Sequence, residues 1–157
     1  MTEDTYFSQA DALKEKLCRT AYLYLGSESA AVDAVDEAIY KGYLSRQKLR
    51  HENYFATWLT RILINVCLDE LRRQKRECAA EPPERSEAPD YDALPLKEAV
   101  LHLNDDLRSV IVLRYFSGYT LAETACILGL QPGTVSSRQR KALALLKLEL
   151  SNEEVEP

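Results

Sequence analysis

The sequence predicts an all-α protein built as two small helical domains joined by a flexible linker. Apolar residues recur at helical spacing through residues 8–76 and again through 96–150. Between them lies a stretch holding Pro82, Pro83, Pro89 and Pro95. Five glycines in 157 residues and few β-branched runs leave little material for a sheet fold. A hydrophobic content of 46% is enough for packed cores. No apolar run approaches the roughly 18 residues that a membrane-spanning helix needs. The acidic, polar N-terminus MTEDTYFSQADALKEK is not a signal peptide, so a cytoplasmic protein without direct membrane insertion is expected.

The elements follow in order. Ala10 to Leu25 carries Leu13, Leu17, Ala21 and Tyr24 at helical spacing, and Gly26-Ser27 ends it. Ser29 to Leu44 puts Val32, Val35, Ile39 and Tyr43 on one stripe and Asp33, Asp36 and Glu37 on the other face. The polar, basic run Ser45 to Asn53 reads as a loop, and a third helix runs from Tyr54 to Arg76. These make a first domain over residues 1–77. Residues 78–95, rich in Pro, Glu, Ser, Ala and Asp, cannot bury enough apolar surface to order themselves and form the linker. The second domain, residues 96–150, reads as helices at Leu96–Leu103, Asp105–Phe116, Thr120–Leu128 and Pro132–Leu150. Asn104 is positioned to cap the second of these, and Thr120 with Glu123 forms a capping box for the third. An acidic tail occupies residues 151–157.

Charge is distributed in blocks. The net charge is −5, yet residues 41–77 hold 9 basic against 4 acidic side chains, and residues 110–148 hold 5 against 1. Nucleic-acid contact depends on local potential rather than on the total. Two basic blocks therefore suggest two DNA-contacting modules, with the acidic blocks left for other partners. The four cysteines, Cys18, Cys67, Cys78 and Cys126, include no CxxC pair and no His at ligand spacing. No metal, cofactor or disulfide framework is expected. Cys18, Cys67 and Cys126 read as small core residues, and Cys78 as exposed.

Two constellations carry chemistry. On the third helix Thr57, Arg61, Asn65, Asp69, Arg72 and Arg76 share one face, with Trp58 at its edge. Phe55, Leu59, Ile62, Leu63, Val66 and Leu71 supply the buried side. Guanidinium groups neutralise phosphate, and an aromatic ring stacks on an unpaired base. The same pattern equally fits a core Trp58 beside a solvated arginine face. The second constellation is TLAETACILGLQPGTVSSRQRKALALLK, Thr120 to Lys147, a helix, a tight turn and a second helix. Pro132 suits the first turn of that second helix, and Thr134, Ser136, Ser137, Arg138, Arg140 and Lys141 lie on it. Val135, Leu143, Ala144 and Leu146 are expected to pack inward. This is the pattern of a helix-turn-helix, which places a short helix in a DNA major groove.

Residues 103–150, with the run VIVLRYFSGYT and the later AE, ILGL, PGTV and SR, resemble region 4 of bacterial RNA polymerase sigma factors. FATWLTRILINVCLDELRRQKR is similar to the end of region 2. The order of the two, with a Pro-rich linker between them, resembles the extracytoplasmic-function (ECF) group. The resemblance implies a region 2-like bundle, which docks on core RNA polymerase and opens the minus-10 element, and a region 4-like helix-turn-helix, which reads the minus-35 element of promoter DNA. Asp33, Asp36 and Glu37 would then face the polymerase clamp. The loop Gln47–Asn53, with Lys48, Arg50 and Asn53, would form the pocket for a flipped base. Trp58, Arg61 and Asn65 would line the edge of the bubble, and Arg72, Arg73, Lys75 and Arg76 would hold the duplex backbone. Thr134, Ser136, Ser137, Arg138, Arg140 and Lys141 would bind the minus-35 duplex. The resemblance further implies an anti-sigma factor, and the linker permits an extended form on polymerase and a compact inhibited form.

Three features depart from the family pattern. Glu37-Ala38 stands where Gln-Glu is frequent, Ser136 replaces a basic residue, and Arg140 to Lys147 is poor in basic residues. The last two imply fewer phosphate contacts or a different minus-35 preference. A free-standing helix-turn-helix repressor or activator is the competing reading, and it leaves the Trp58–Arg76 face and the acidic helix unused. An enzyme is not expected, since His51 and His102 stand isolated and no phosphate-cradling glycine loop is present.

Overall fold

The computed structural model describes residues 1–78 and 94–155, with the side chains of Cys78, Leu94 and residues 152–155 outside the description. Most of the Pro-rich linker, the exposure expected of Cys78 and the end of the acidic tail therefore lie outside the described residues. Seven α-helices and no strand are present among those described: α1 Glu3–Leu25, α2 Glu28–Leu44, α3 Phe55–Cys78, α4 Leu94–His102, α5 Asp105–Ile111, α6 Leu121–Leu128 and α7 Pro132–Val155. Short 3₁₀ turns at Arg46–Lys48 and Glu52–Tyr54 occupy the segment read as a loop.

The caps explain the boundaries. α1 begins seven residues before its apolar stripe because Thr2 accepts a hydrogen bond from the Thr5 N–H at 3.3 Å, and Glu3 and Asp4 favour the positive end of the helix dipole. Ser27 caps α2, accepting from the Ala30 N–H at 3.3 Å. Asn104 caps α5 through the Leu107 N–H at 3.0 Å. At α6 the Thr120 hydroxyl accepts from the Glu123 N–H at 3.1 Å and the Glu123 carboxylate accepts from the Thr120 N–H at 3.0 Å, and hydrogen bonding by the Thr120 backbone and side chain holds the Glu123 carboxyl below its ordinary range. Gly129, with φ of 67°, ends α6 in the left-handed conformation that a side chain disfavours.

After Ile111 the helix continues as a π turn, Val112–Phe116, closed by the Ser117 N–H donating to the Val112 carbonyl at 2.9 Å. The sequence pattern reads this stretch as ordinary helix. The wider turn carries Ser117 and Tyr119 onto the α1–α3 bundle.

In the first unit α1, α2 and α3 pack pairwise around Tyr6, Leu17, Tyr24, Val35, Leu59, Leu63, Ile64 and Cys67. The inward face of α2 is Ala31, Ala34, Val35, Ala38 and Gly42, so Val32, expected on the buried stripe, is 42% exposed. Small residues let α2 approach closely. A Cβ at Gly42 would lie 2.5 Å from the Tyr6 hydroxyl, which donates to the Ile39 carbonyl, and 2.9 Å from Leu59.

In the second unit α7 turns Val135, Ala142 and Leu146 inward, positions separated by seven and four. Leu143 and Ala144, expected inside, are exposed instead. Cys126 is also exposed, because α6 buries Thr124, Ala125 and Ile127. The two units are packed together: α1 lies against α4, α5 and the π turn, and α3 lies against α6.

Replacing Gly42 with Val should lower the thermal midpoint by several degrees, since overpacking a filled site costs about 1–3 kcal/mol. Differential scanning calorimetry checks this. Burial pushes the Cys67 thiol up to about 12, with Glu70 adding to the effect. In the native protein at pH 8 a thiol reagent should therefore label Cys126 and spare Cys67, with peptide mapping by mass spectrometry as the readout.

Candidate nucleic-acid and polymerase interfaces

α3 is a 24-residue helix that keeps one side in the core and presents the other to solvent. Arg61, Asn65, Asp69, Arg72, Arg73 and Arg76 are exposed along it. Trp58 is half-buried, its ring tilted against Phe55 at 5.9 Å between centroids. Lys48, Arg50 and Asn53 are exposed on the turns that lead into α3. Tyr54, 62% exposed at the start of the same face, was not legible as a surface residue from its sequence position.

The basic side chains are not equivalent. Arg72 pairs with Asp69 at 3.0 Å. Arg73 lies between Glu70 and Glu77, and it holds the Glu70 carboxyl below the usual carboxylate range. Lys75 reaches across to Asp105 of α5 at 2.8 Å. Arg46 donates to the Tyr43 carbonyl at 2.9 Å and lies 4.2 Å from the Tyr43 ring, which fixes a further cation beside the turns.

On α2 Asp33, Asp36 and Glu37 are exposed. Val32, Tyr40 and Leu44 are 42%, 62% and 63% exposed, so this helix offers an acidic surface with apolar side chains among the carboxylates. Glu37 also pairs with Lys41 at 3.0 Å.

The second helix of the helix-turn-helix is α7. Ser137, Arg140 and Lys141 are exposed, while Thr134, Ser136 and Arg138 are partly covered. Arg138 approaches Asp106 at 3.9 Å. Gln139, absent from the sequence-based set, accepts from the Arg114 Nε at 2.9 Å, and Arg114 also donates to the Tyr119 carbonyl at 2.9 Å. That bidentate guanidinium fixes α7 against the turn before α6. No group of three or more His, Cys, Asp or Glu with metal-binding geometry exists among the described residues.

Residues 10–77, which include α2, the turns and most of α3, match the family model for Sigma-70 region 2, and residues 99–148 match that for Sigma-70, region 4. A sigma factor SigM of Mycobacterium tuberculosis, described as an ECF RNA polymerase sigma factor, is 32% identical over 136 residues, covering 83% of this chain and 69% of its own. The chain belongs to the ECF family of RNA polymerase sigma factors. SigV of Bacillus subtilis is 29% identical over 147 residues, 90% of this chain and 89% of SigV. In three dimensions the ECF fold resembles the sigma factor RpoE of Bartonella quintana, solved in complex with the anti-sigma factor NepR. That match has a TM-score of 0.74 and 25% identity over 92% of this chain and 96% of RpoE. CnrH, solved with the cytosolic domain of CnrY, shares the fold at a TM-score of 0.75 over 96% of this chain and 90% of its own. As a sigma factor the protein directs core RNA polymerase to specific promoters and initiates transcription. No helix among the described residues is long and apolar enough to cross a membrane.

Proposed function

We propose that this ECF factor divides promoter reading between two units, residues 1–77 for the polymerase and the minus-10 element and residues 96–150 for the minus-35 element, with residues 78–95 linking them and 151–157 as a tail. The observation that carries the proposal is the pair of exposed basic helix faces, one on α3 and one on the helix-turn-helix. In the first unit Trp58, Arg61 and Asn65 border the melted segment, and Lys48, Arg50 and Asn53 line the pocket for an extruded base. Flipping costs a few kcal/mol of unstacking, which stacking on Trp58 and phosphate contacts at Arg72, Arg73 and Arg76 offset. In the second unit Thr134, Ser136, Ser137, Arg138, Arg140 and Lys141 enter the major groove of the minus-35 duplex. Asp33, Asp36 and Glu37 of α2 steer docking on the polymerase, with Val32 and Tyr40 supplying apolar contact.

The protein acts in the cytoplasm, as a transcription regulator with no catalytic group of its own. An anti-sigma factor restrains it, a reading supported by its likeness to RpoE of Bartonella quintana, which was solved with one.

Transcription in vitro with core polymerase on a randomised promoter library tests the whole reading. It should return one enriched minus-35 and minus-10 pair, and sequence-specific DNA binding without polymerase would favour a free-standing repressor. Trp58→Ala should slow open-complex formation by about tenfold, given stacking of about 1–3 kcal/mol per base, while polymerase affinity stays within about twofold. Permanganate footprinting and a binding titration separate the two effects. Lys141→Ala should weaken holoenzyme binding across promoters and lower the slope of log affinity against log salt by about 1.

A further inference from the structure

Where α1, α2 and the first 3₁₀ turn meet, three side chains are stacked at the surface. Phe7 of α1, 40% exposed, lies on the Tyr43 ring of α2, with centroids 5.3 Å apart and planes at 23°. The Arg46 guanidinium lies 4.2 Å from the same ring and donates to the Tyr43 carbonyl at 2.9 Å. Tyr43 and Arg46 are both half-buried. Tyr6 backs this stack from the core, edge-on to Phe7 and to Tyr43. Tyr6 also meets Phe55 edge-on, and Phe55 meets Trp58. The buried rings of Tyr6 and Phe55 therefore support two aromatic groups at the surface, Trp58 and the Phe7–Tyr43 stack.

The centroid steps from Trp58 to Phe55, Phe55 to Tyr6 and Tyr6 to Tyr43 are 5.9, 5.7 and 5.9 Å, so Trp58 and Tyr43 stand at most about 18 Å apart. At about 3.4 Å per stacked nucleotide, and about twice that for a stretched strand, a span of this size takes roughly three to five nucleotides. Lys48, Arg50 and Asn53 lie between the two groups along the chain and are exposed. Among the described residues Arg46, Lys48 and Arg50 belong to no ion pair, whereas Arg72 and Arg73 of α3 are paired. Cations left free beside fixed aromatic rings suit a nucleic-acid strand, whose phosphates they neutralise while its bases stack. The carboxylates of Glu3, Asp4 and Asp11 neighbour Phe7 on the exposed face of α1 and repel phosphate there. A strand therefore meets the stack from the Arg46 side.

We infer that Arg46, held on the Tyr43 ring, stacks on a second unpaired base of the melted strand, beyond the base extruded into the Lys48–Asn53 pocket and toward the transcription start. The inference rests on the sigma-factor reading, in which Trp58 borders the duplex edge of the melted segment. A strand that leaves Trp58 and crosses the pocket reaches Arg46 next. A guanidinium is planar, delocalised and weakly hydrated, so it lies on an aromatic ring and accepts a base on its free face. Its hydrogen bond to the Tyr43 carbonyl and its contact with the ring leave it little rotameric freedom to lose on binding. In duplex DNA the base faces are covered by their neighbours, so the platform engages melted DNA alone. It thereby favours the open form over the closed one. Stacking is tolerant of sequence, and the larger face of a purine gives it a modest preference at this position.

The test uses the full-length chain with core polymerase on the promoter returned by the randomised library, prepared with an artificial bubble over the minus-10 segment. Single abasic sites are placed at successive bubble positions of the captured strand. With the unmodified protein, one position beyond the extruded base should cost about fivefold or more in affinity when its base is removed. Arg46→Lys keeps the charge and loses the planar face. It should bind the intact strand about fivefold or more weakly, and removing the base at that position should then cost nothing further. An equal abasic penalty in both proteins, or no penalty at any position beyond the extruded base, would overturn the inference. Weaker polymerase binding by Arg46→Lys without this coupling would assign the stack to the polymerase and overturn it as well. A second measurement needs no variant: 2-aminopurine at the same position should be quenched by stacking when the unmodified holoenzyme binds, and undiminished fluorescence at every position beyond the extruded base counts against the platform. If the library returns no promoter at all, the sigma-factor reading beneath the inference falls instead.

Discussion

Leu103, Leu107, Ile111, Leu113 and Tyr119 of the second unit are buried in the same apolar cluster as Leu17, Tyr24 and Leu71 of the first, and the rest of the molecule is arranged around that shared burial. Each unit is near the lower size limit at which a chain buries enough surface to fold alone. The separate core of the helix-turn-helix is small, with Val110, Ala125 and Val135 at its centre. Leaning on the α1–α3 bundle supplies what that core lacks. The same contact sets the position of α6 and, through α6, the position of the recognition helix.

Electrostatics follow the same division. The net charge of −5 conceals two basic groups, Arg61 with Arg72, Arg73, Lys75 and Arg76 on α3, and Arg138, Arg140 and Lys141 on α7. Their strength is moderated locally. Arg73 is shared by Glu70 and Glu77, Arg72 by Asp69, and Arg138 stands near Asp106. Exposed pairs of this kind are each worth at most about 1 kcal/mol, so phosphate competes for these cations effectively. On the proposed reading, the paired carboxylates would lower non-specific attraction to DNA without removing the cations from use.

Most of the fold was legible because helix boundaries are written in local chemistry. Ser27, Asn104, Thr120 with Glu123, and Gly129 act through backbone groups only a few residues away, so their meaning survives without tertiary information. Phase was harder to read. Leu143 and Ala142 are adjacent and both apolar, and only the packing of α5 and α6 decides that the smaller one faces inward. Val32 was misplaced for the same reason: alanines and Gly42 win the inner face of α2 because close approach to Tyr6 and Leu59 leaves no room for bulk. The π turn and the burial of Arg108 had no local signature. The Arg108 guanidinium is buried against the Tyr24 carbonyl of α1, a partner more than eighty residues distant in sequence, and Ser117 at the end of the π turn bonds Thr20 of the same helix. Gln139 was missed because its role depends on Arg114, twenty-five positions away. The exposed basic faces of α3 and α7 were visible as a pattern, whereas the ion pairs along them were not.

Trp58 shows why the core and nucleic-acid readings of α3 need not compete. Its ring packs against Phe55 and the edge of the apolar cluster while part of it remains in solvent. A side chain held on one side by the core has little rotameric freedom left to lose. Stacking a base on its other side then costs less entropy than recruiting a mobile aromatic such as the 62%-exposed Tyr54. Half-burial is thus the condition that makes the ring useful: full burial would hide it, and full exposure would leave it unfixed. The same logic extends to Arg114 and Gln139, where a pairing inside the unit fixes the helix that presents Ser137, Arg140 and Lys141. In both units the residues proposed to meet DNA stand on supports that are already ordered, so on that proposal the binding energy goes to distinguishing promoters rather than to organising the protein.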